Sequence, residues 1–413
     1  MLLKKLTITL VFCIFPIAVF SQKSNPNIYL NCQVPKCYND FLRMELGMFN
    51  FVRDQADAEI LILVTSTNTA SGGRNYQLFF EGKNNNLNRK DTLIYSLRQD
   101  ATDDQNRKAL LNTLSIGLIK YLNDSNMAEN VKVSFSKSNH KVRATKPDKW
   151  RNWVFGLGAN GRLNGESNRK NVATDGNFRG GKTTEKSKFS FYSYYNQRTN
   201  SVKVDTVFST VKVNDYGFNS LYVKAFSNHW SVGGFVKGFH SVYQNIKFSK
   251  SIAPALEYSV FPVQDFTRKQ FRWIYQAGVR DFDYLESTVF DKMEETIPYQ
   301  QLTGIVGFTE NWGNFSAEVS GYQYLHVPDL YRLSLELDLT LRVAQGLSVR
   351  FYGNGSQINN QISLPKISAD ATNVLLGGRQ LATSFSYTTS FGINYTFGSV
   401  NNSIVNPRFS GVN

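Results

Sequence analysis

The segment from Arg332 to Val343 alternates strictly between polar and apolar residues. Leu333, Leu335 and the later odd-numbered positions are apolar, whereas the even-numbered positions are polar or charged. Successive side chains of a β-strand point to opposite faces, so this period predicts a strand with one apolar and one charged face. A soluble sandwich would bury the leucines, whereas a membrane barrel would turn them to lipid and the charges to its lumen.

The same alternation recurs at Leu347–Asn354 and Ser384–Phe397. It also recurs at Phe271–Asp281, with Ile274 as the one misfit and with Asp281 on the apolar face, where the strand is predicted to leave the lipid. Less regular strands fit at 152–164, 170–181, 186–198, 212–226, 230–243, 251–261, 301–310 and 314–325. The total is about twelve, and an even number is usual for single-chain bacterial barrels. Aromatic residues reach 14%, and no run after the N-terminus offers the roughly 18 apolar residues of a membrane helix. These features predict a transmembrane antiparallel β-barrel over residues 150–397.

The predicted links between strands fall into two alternating classes. One class is short and polar, with 262–269 as a longer exception: 182–186, 227–229, 311–314 and 344–346. The other class includes long, charged links: 199–211, 281–299 and 358–379. Bacterial barrels have short periplasmic turns and long external loops, so the first class is predicted on the periplasmic side.

The predicted last strand carries a motif for barrel assembly. Ser390, Gly392, Tyr395 and Phe397 match polar, any, glycine, any, any, aromatic, any, aromatic, the pattern that the barrel assembly machinery recognises. A chance match within an ordinary amphipathic strand is the alternative. Residues 398–413 follow the motif and are predicted to form a periplasmic tail.

The first 21 residues have the pattern of a secretory signal peptide. Lys4 and Lys5 precede an apolar core at 6–20, and Ser21 ends a small-residue cleavage site. A membrane anchor is the alternative, but the core is short and no stop-transfer pattern follows. The signal predicts export to the envelope of a Gram-negative bacterium.

Residues 22–125 are predicted to form a small periplasmic α/β domain, ordered β-α-β-β-β-α. Residues 60–64 form an apolar run typical of a strand buried on both faces. Two helices are predicted from apolar residues at helical spacing: Phe41, Leu42, Leu46, Phe49 and Val52 in the first, and Leu111, Leu114, Leu118 and Leu122 in the second. Thr102 and Gln105 form a capping box before the second helix. Residues 126–149 read as a linker.

Cys32 and Cys37 are the only cysteines after the predicted signal. In an oxidising compartment a close pair favours a disulfide over a metal site, especially with no histidine nearby. The net charge of +14 comes from scattered basic residues. It favours outer-membrane lipids, lipopolysaccharide and acidic envelope partners rather than nucleic acid.

No motif in the sequence predicts an enzyme, a metal site or a cofactor. Residues 176–183 match the phosphate-loop pattern, but polar residues precede them and a strand follows, so a periplasmic turn is predicted and no nucleotide. Of four histidines (His140, His229, His240 and His326), only His240 lies in a predicted strand. Its neighbour Ser241 would point to the opposite face, which excludes that nucleophile–base pair.

Six charged residues are predicted to line the lumen on three consecutive strands: Glu318, Arg332, Glu336, Asp338, Arg342 and Arg350. They either form a constriction that sets ion selectivity or neutralise one another inside a filled barrel. The filled barrel is the favoured interpretation.

Several segments together support a family resemblance. They are Cys32…Cys37 with Tyr38–Phe41, Trp150–Phe155, His229–Gly233, Pro254–Pro262, Tyr331–Leu335, Arg379–Tyr387 and Tyr395–Ser399. With these, the chain resembles outer-membrane barrels of Bacteroidota that have a short periplasmic α/β head and no settled function. It also resembles, more distantly, the salt-induced outer-membrane barrel family. The resemblance implies a barrel and a location but no catalytic residues.

Two functions follow as expectations. The first is a structural or assembly module whose domain at 22–125 binds envelope partners, because a simple pore needs no such domain. The alternative is a narrow diffusion channel for small polar solutes, and an outer-membrane hydrolase is a distant third.

Overall fold

A computed structural model describes residues 25–69, 72–87, 89–122, 150–204, 206–367, 374–399 and 408. The predicted signal peptide, the linker at 126–149 with His140, and most of the predicted tail lie outside these residues.

The N-terminal part is a mixed five-stranded sheet with two helices, called the head below. Its elements are β1 (Asn27–Gln33), α1 (Asn39–Glu45), β2 (Asn50–Phe51), β3 (Ile60–Asn68), β4 (Arg74–Gly82), β5 (Lys90–Leu97) and α2 (Asp103–Leu122). The strand order is β2-β1-β3-β4-β5. β1 runs parallel to β2 and β3, and β3, β4 and β5 are antiparallel. The predicted α/β order is confirmed, with the two-residue β2 as an addition.

The head core lies between one face of its sheet and the two helices. Ile60, Ile62 and Val64 of β3 are fully buried there with leucines of α1 and α2. Gly117 allows close approach of α2, since a Cβ at that position would lie 2.2 Å from the Phe80 ring. Alternate residues of β3, Leu61 and Leu63, are buried on the opposite face. The buried strand predicted at 60–64 is therefore confirmed.

The helices differ in detail from the prediction. α1 ends at Glu45, so Phe49 and Val52 are buried outside any helix. In α2, Leu114, Leu118 and Leu122 are buried as predicted, but Leu110 is buried in place of Leu111, which is only partly buried against the core. The predicted capping box is confirmed, because the Thr102 amide donates to Gln105 Oε1 at 3.0 Å and the Gln105 amide donates to Thr102 Oγ1 at 3.2 Å.

The second part is a twelve-stranded antiparallel sheet in which every strand pairs with its neighbours in sequence, called the barrel sheet. Its strands are β6 (Trp153–Glu166), β7 (Arg169–Thr183), β8 (Ser187–Val204), β9 (Val207–Ala225), β10 (Trp230–Ser241), β11 (Ile246–Ser259), β12 (Lys269–Tyr284), β13 (Glu294–Glu310), β14 (Gly313–Tyr324), β15 (Tyr331–Ala344), β16 (Leu347–Ile358) and β17 (Phe385–Tyr395). The predicted fold class is confirmed: mainly β, with a twelve-stranded antiparallel sheet after a small α/β domain.

The links follow the predicted alternation, with one correction. The links on the side where β6 begins are short apart from 260–268, as predicted. The predicted long loop at 199–211 is instead a hairpin, because pairing continues from Ser201↔Thr210 to Val204↔Val207. Polar residues there remain compatible with a strand, because the two strands supply ladder hydrogen bonds to each other. The longer loops on the opposite side are 285–293 and 359–384.

The two faces of the barrel sheet have different chemistry. The outer face exposes large apolar residues on many strands, among them Leu157, Val236, Ile252, Trp273, Leu302, Val319, Leu335 and Ile393. Aromatic rings form a continuous row across β6 to β9 on this face, from Trp153 through Phe155, Phe178 and Phe191 to Phe218, at centroid distances of 5.7–6.2 Å. The inner face carries polar, charged and buried aromatic residues.

β6 and β17 are the two edges of the barrel sheet. Among the strand pairs of the described chain, none joins these two edges to each other. Both strands are largely exposed. None of the described helices has the length and apolar character needed to cross a membrane.

Cys32 at the end of β1 and Cys37 before α1 have their Cα atoms 6.1 Å apart and their sulfur atoms joined. That Cα separation is within the range of disulfides. Both side chains pack against the head core.

We predict that alkylation without reductant labels neither Cys32 nor Cys37 in the mature protein. A Cys32→Ala, Cys37→Ala variant should lower the melting temperature of the head and spare the barrel sheet, because residues 150–413 contain no cysteine. Mass spectrometry after alkylation and circular dichroism melts measure the two effects. Free thiols in freshly extracted protein would contradict the prediction.

Candidate functional site

The candidate site is the inner face of the barrel sheet together with the parts of the chain that cover its two ends. The head end is the end where β6 begins and β17 finishes. The far end carries the loops at 285–293 and 359–384.

The six predicted lumenal charges all lie on the inner face of β14, β15 and β16. Glu318 stands directly opposite Glu336, so two like charges are neighbours across the strands. Among the described residues the only ion pair within the set joins Arg350 and Asp338, at 3.7 Å. The Arg350 side chain is 71% exposed, and Arg332 and Glu336 are exposed as well. This part of the inner face is therefore open to water.

A second part of the inner face is filled by aromatic side chains. Phe282, Tyr284, Tyr299 and Tyr324 are buried in one cluster with Ile297. The Arg280 guanidinium lies 5.1 Å from the ring centre of Tyr299 and 5.6 Å from that of Tyr322. Cation–π contacts of this kind stabilise a guanidinium that is withdrawn from water. Nearer the head end, Arg272 pairs with Glu257 at 3.6 Å.

The loop after β16 covers the far end. Its Ile362 is buried in the aromatic cluster of the inner face. Asn245, in the β10–β11 turn, donates its side-chain amide to the carbonyl oxygens of Glu286 and Ser363, at 2.9 and 3.0 Å. Three loops are thus joined at one buried asparagine.

The same loop then crosses to the strands on the opposite side of the far end. The Leu376 carbonyl accepts a 3.0 Å hydrogen bond from Asn200 of β8. Arg379 pairs with Glu286, and the Gln380 amide donates to the Tyr243 carbonyl at 2.9 Å. Because β8 lies eight strands from β16 in the sheet order, this loop spans the far end.

The head is docked on the β15–β16 turn at the other end. Gly346 donates its amide to Asp54 Oδ2, and Gln345 donates to Asp57 Oδ2, both at 2.8 Å. Gly346 has a φ of +71°, a left-handed value that glycine adopts without strain. The Arg342 guanidinium lies 4.6 Å from the centre of the Tyr29 ring in β1. Burial raises the pKa of Tyr29, and Arg342 opposes that shift.

Further contacts attach the head to the β11–β12 link and to the chain after β17. Thr267 donates to Gln77 Oε1 at 2.7 Å, and the Arg268 guanidinium lies 5.1 Å from the Phe79 ring centre. Arg53 donates to the Ser399 carbonyl at 3.1 Å. These contacts use Tyr29, Gln77 and Phe79 on the sheet face opposite to the helices. These contacts are spread from the β11–β12 link to the chain after β17, so the head spans much of the head end of the barrel sheet.

The residues of the predicted assembly motif lie on β17 and just after it. Ser390 and Gly392 face inwards, opposite Tyr352 and Arg350. Tyr395 is the last residue of the strand, and its ring stacks on Phe397 at 5.6 Å. Both aromatic side chains are exposed. Their role in assembly stays a prediction.

Residues 176–183, which match the phosphate-loop pattern, lie inside β7, with the turn at 184–186. The predicted turn was therefore placed too early, because glycines at 176, 180 and 181 do not interrupt the pairing with β6 and β8.

The described histidines are separate from one another. His240 stacks on Tyr216 at 4.6 Å on the outer face, and His229 bonds the Ser259 carbonyl in a turn. His326 lies in the β14–β15 loop. Within the described part of the chain, no three histidine, cysteine, aspartate or glutamate residues are grouped to hold a metal.

Sequence reasoning missed the docking residues of the head and the contacts of the far-end loop. Tyr29, Asp54 and Asp57 have no local pattern that marks them, because their partners lie more than 280 residues away in the chain. The apolar character of both faces of β3 was the one available signal, since it required a second packing partner for the head sheet.

No family model and no curated protein matches the sequence. The resemblance to Bacteroidota barrels and to the salt-induced family therefore stays a prediction. Among solved structures, the porin NanC matches with 10% identity and a TM-score of 0.27, covering 59% of this chain and 99% of its own.

We predict that Arg342→Ala loosens the docked head. A cation–π contact of about 0.5–2 kcal/mol corresponds to a rise in the undocked population of about two- to thirtyfold. Hydrogen exchange in detergent should accelerate by that factor in peptides covering Tyr29 and Asp54–Asp57. The matched control is Arg350→Ala, which removes an inner-face arginine that does not touch the head. Equal protection in both variants would contradict the prediction.

Proposed function

We propose that the chain is an outer-membrane β-barrel of a Gram-negative bacterium that forms a gated conduit for small polar solutes. The head would lie in the periplasm and close the conduit from that side, and the far-end loop would close it from the cell exterior. Residues 1–21 would direct export. The observation that carries the proposal is the solvent-exposed, mostly unpaired charge on the inner face between two covered ends.

The outer face supports the membrane location. Water-exposed leucine, valine, tryptophan and phenylalanine on strand after strand would be unfavourable in solution, and lipid would bury them. In lipid, however, free strand edges leave backbone groups unsatisfied at several kcal/mol each. We therefore propose that β6 and β17 pair in the membrane. With an even number of strands, that pairing is antiparallel.

The proposed membrane face is tested by a pair of neighbouring arginine substitutions on β15. Leu335→Arg places a charge on the outer face and should cost about 2–4 kcal/mol at the bilayer midplane. Glu336→Arg places the same side chain on the inner face, opposite Glu318, where it gains a partner. We expect Leu335→Arg to reduce the protein recovered in outer-membrane fractions and Glu336→Arg to leave it unchanged. Equal recovery of the two variants would contradict the assignment of faces.

Conduction is tested in planar bilayers with the purified full chain. We expect rare openings in the wild type, because both ends are covered. Arg342→Ala should open more often, since it loosens the head, and Arg350→Ala should not match that increase. Glu336→Arg combined with Arg342→Ala should shift the reversal potential towards anions, because an exposed inner-face carboxylate is replaced by a cation.

A silent wild type with a silent Arg342→Ala variant would overturn the conduit and favour the second candidate. That candidate is an assembly module in which residues 22–125 bind envelope partners. It has one supporting observation: the head leaves Met44, Met48 and Ile116 exposed on its helical side. Exposed apolar side chains mark surfaces for protein partners where they form a contiguous patch. Lipids, lipopolysaccharide and the barrel assembly machinery are proposed contacts under either candidate.

A further inference from the structure

A cavity of about 550 Å³ lies on the inner face beneath the far-end loop. Arg198 of β8 and Asp215 of β9 line it, together with the aromatic side chains of Tyr194, Phe239 and Tyr243. Gly377 of the far-end loop also lines it. The loop is held there by the hydrogen bond from Asn200 to the Leu376 carbonyl.

The two charged residues of this cavity do not pair with each other. Arg198 stands opposite Val213, and Asp215 stands opposite Asn196, so the two are diagonal neighbours on the inner face. Such positions are about 7–8 Å apart, a separation that long side chains can span. Among the described residues, neither side chain has an ion pair or hydrogen bond. The Asp215 Oδ1 atom is buried and has no donor.

A buried carboxylate oxygen without a donor is unfavourable and calls for a partner that binds there. A free cation would satisfy Asp215 but would be repelled by Arg198. A free anion would have the opposite difficulty. A molecule with an ammonium group at one end and a carboxylate at the other satisfies both residues, and the aromatic wall can pack against its apolar part.

We propose that this cavity binds a small zwitterionic solute, an amino acid or short peptide. Arg198 holds its carboxylate and Asp215 its ammonium group. The inference deepens the proposed conduit by naming the class of solute, and it rests on that proposal only for transport. Binding itself is measurable without conduction.

The test uses the full chain in detergent and isothermal titration with four probes. They are dialanine, N-acetyl-dialanine without the ammonium group, dialanine amide without the carboxylate, and maltose as a neutral polar solute. We expect dialanine to bind at least about tenfold more tightly than each singly charged form, because each lost charged hydrogen bond weakens binding by at least that factor. Maltose should not bind.

Two variants assign the charges. Asp215→Asn should remove the preference for dialanine over its N-acetyl form, and Arg198→Gln should remove the preference over its amide. Asp329→Asn, an exposed carboxylate in a far-end loop, is the control and should bind like the wild type. Equal binding of the amide and dialanine would overturn the proposal in favour of a cation site. Maltose binding that depends on Asp215 would overturn it in favour of a sugar site, and binding of none of the probes would overturn it outright.

The outcomes separate this inference from the conduit. Zwitterion binding in a protein that stays silent in bilayers supports the cavity and overturns the conduit. Conduction without any zwitterion binding does the reverse.

Discussion

Every strand of the barrel sheet obeys one constraint: neighbouring side chains point to opposite faces, while the backbone groups form hydrogen bonds with the adjacent strands. The alternation of apolar and polar residues is by itself enough to produce an apolar outer face and a polar inner face. The pairing requirement orders the strands, and it leaves β6 and β17 as the only edges among the described strands of that sheet. Both the membrane proposal and the interior chemistry depend on this separation of faces.

The inner face of the barrel sheet has two parts, one filled by aromatic side chains and one polar and exposed. Around β10 to β14 it is filled by aromatic rings and Arg280, and Ile362 of the far-end loop is buried among them. Around β14 to β16 it is polar and exposed, with Glu318 facing Glu336. The aromatic cluster packs against a loop that covers the far end, whereas the exposed charges leave their part of the inner face open to water. The same inner face therefore combines a packed aromatic cluster with a water-exposed charged surface.

The head contacts the barrel sheet through the face of its own sheet that lies opposite to its helices. A separate recognition domain would leave that face free. Its sheet packs the helices on one side and meets the barrel links on the other, through Tyr29, Gln77 and Phe79. The docking contacts combine hydrogen bonds and cation–π pairs with apolar residues that are buried on the same face, among them Leu61 and Leu63. The hydrogen bonds and cation–π pairs are individually worth about 0.5–2 kcal/mol.

The sequence by itself determined the strand number, the two faces of each strand, the α/β order of the head and the capping box at Thr102, because each depends on neighbours within a few residues. It also located the six inner-face charges. Only the tertiary structure decided that Arg342 contacts Tyr29 instead of a charge on the next strand, that the hairpin at 199–211 continues as paired strands, and that Arg198 and Asp215 share a cavity. Those relations join residues far apart in the chain or on different strands, and a period of two contains no information on which partner a side chain meets across space.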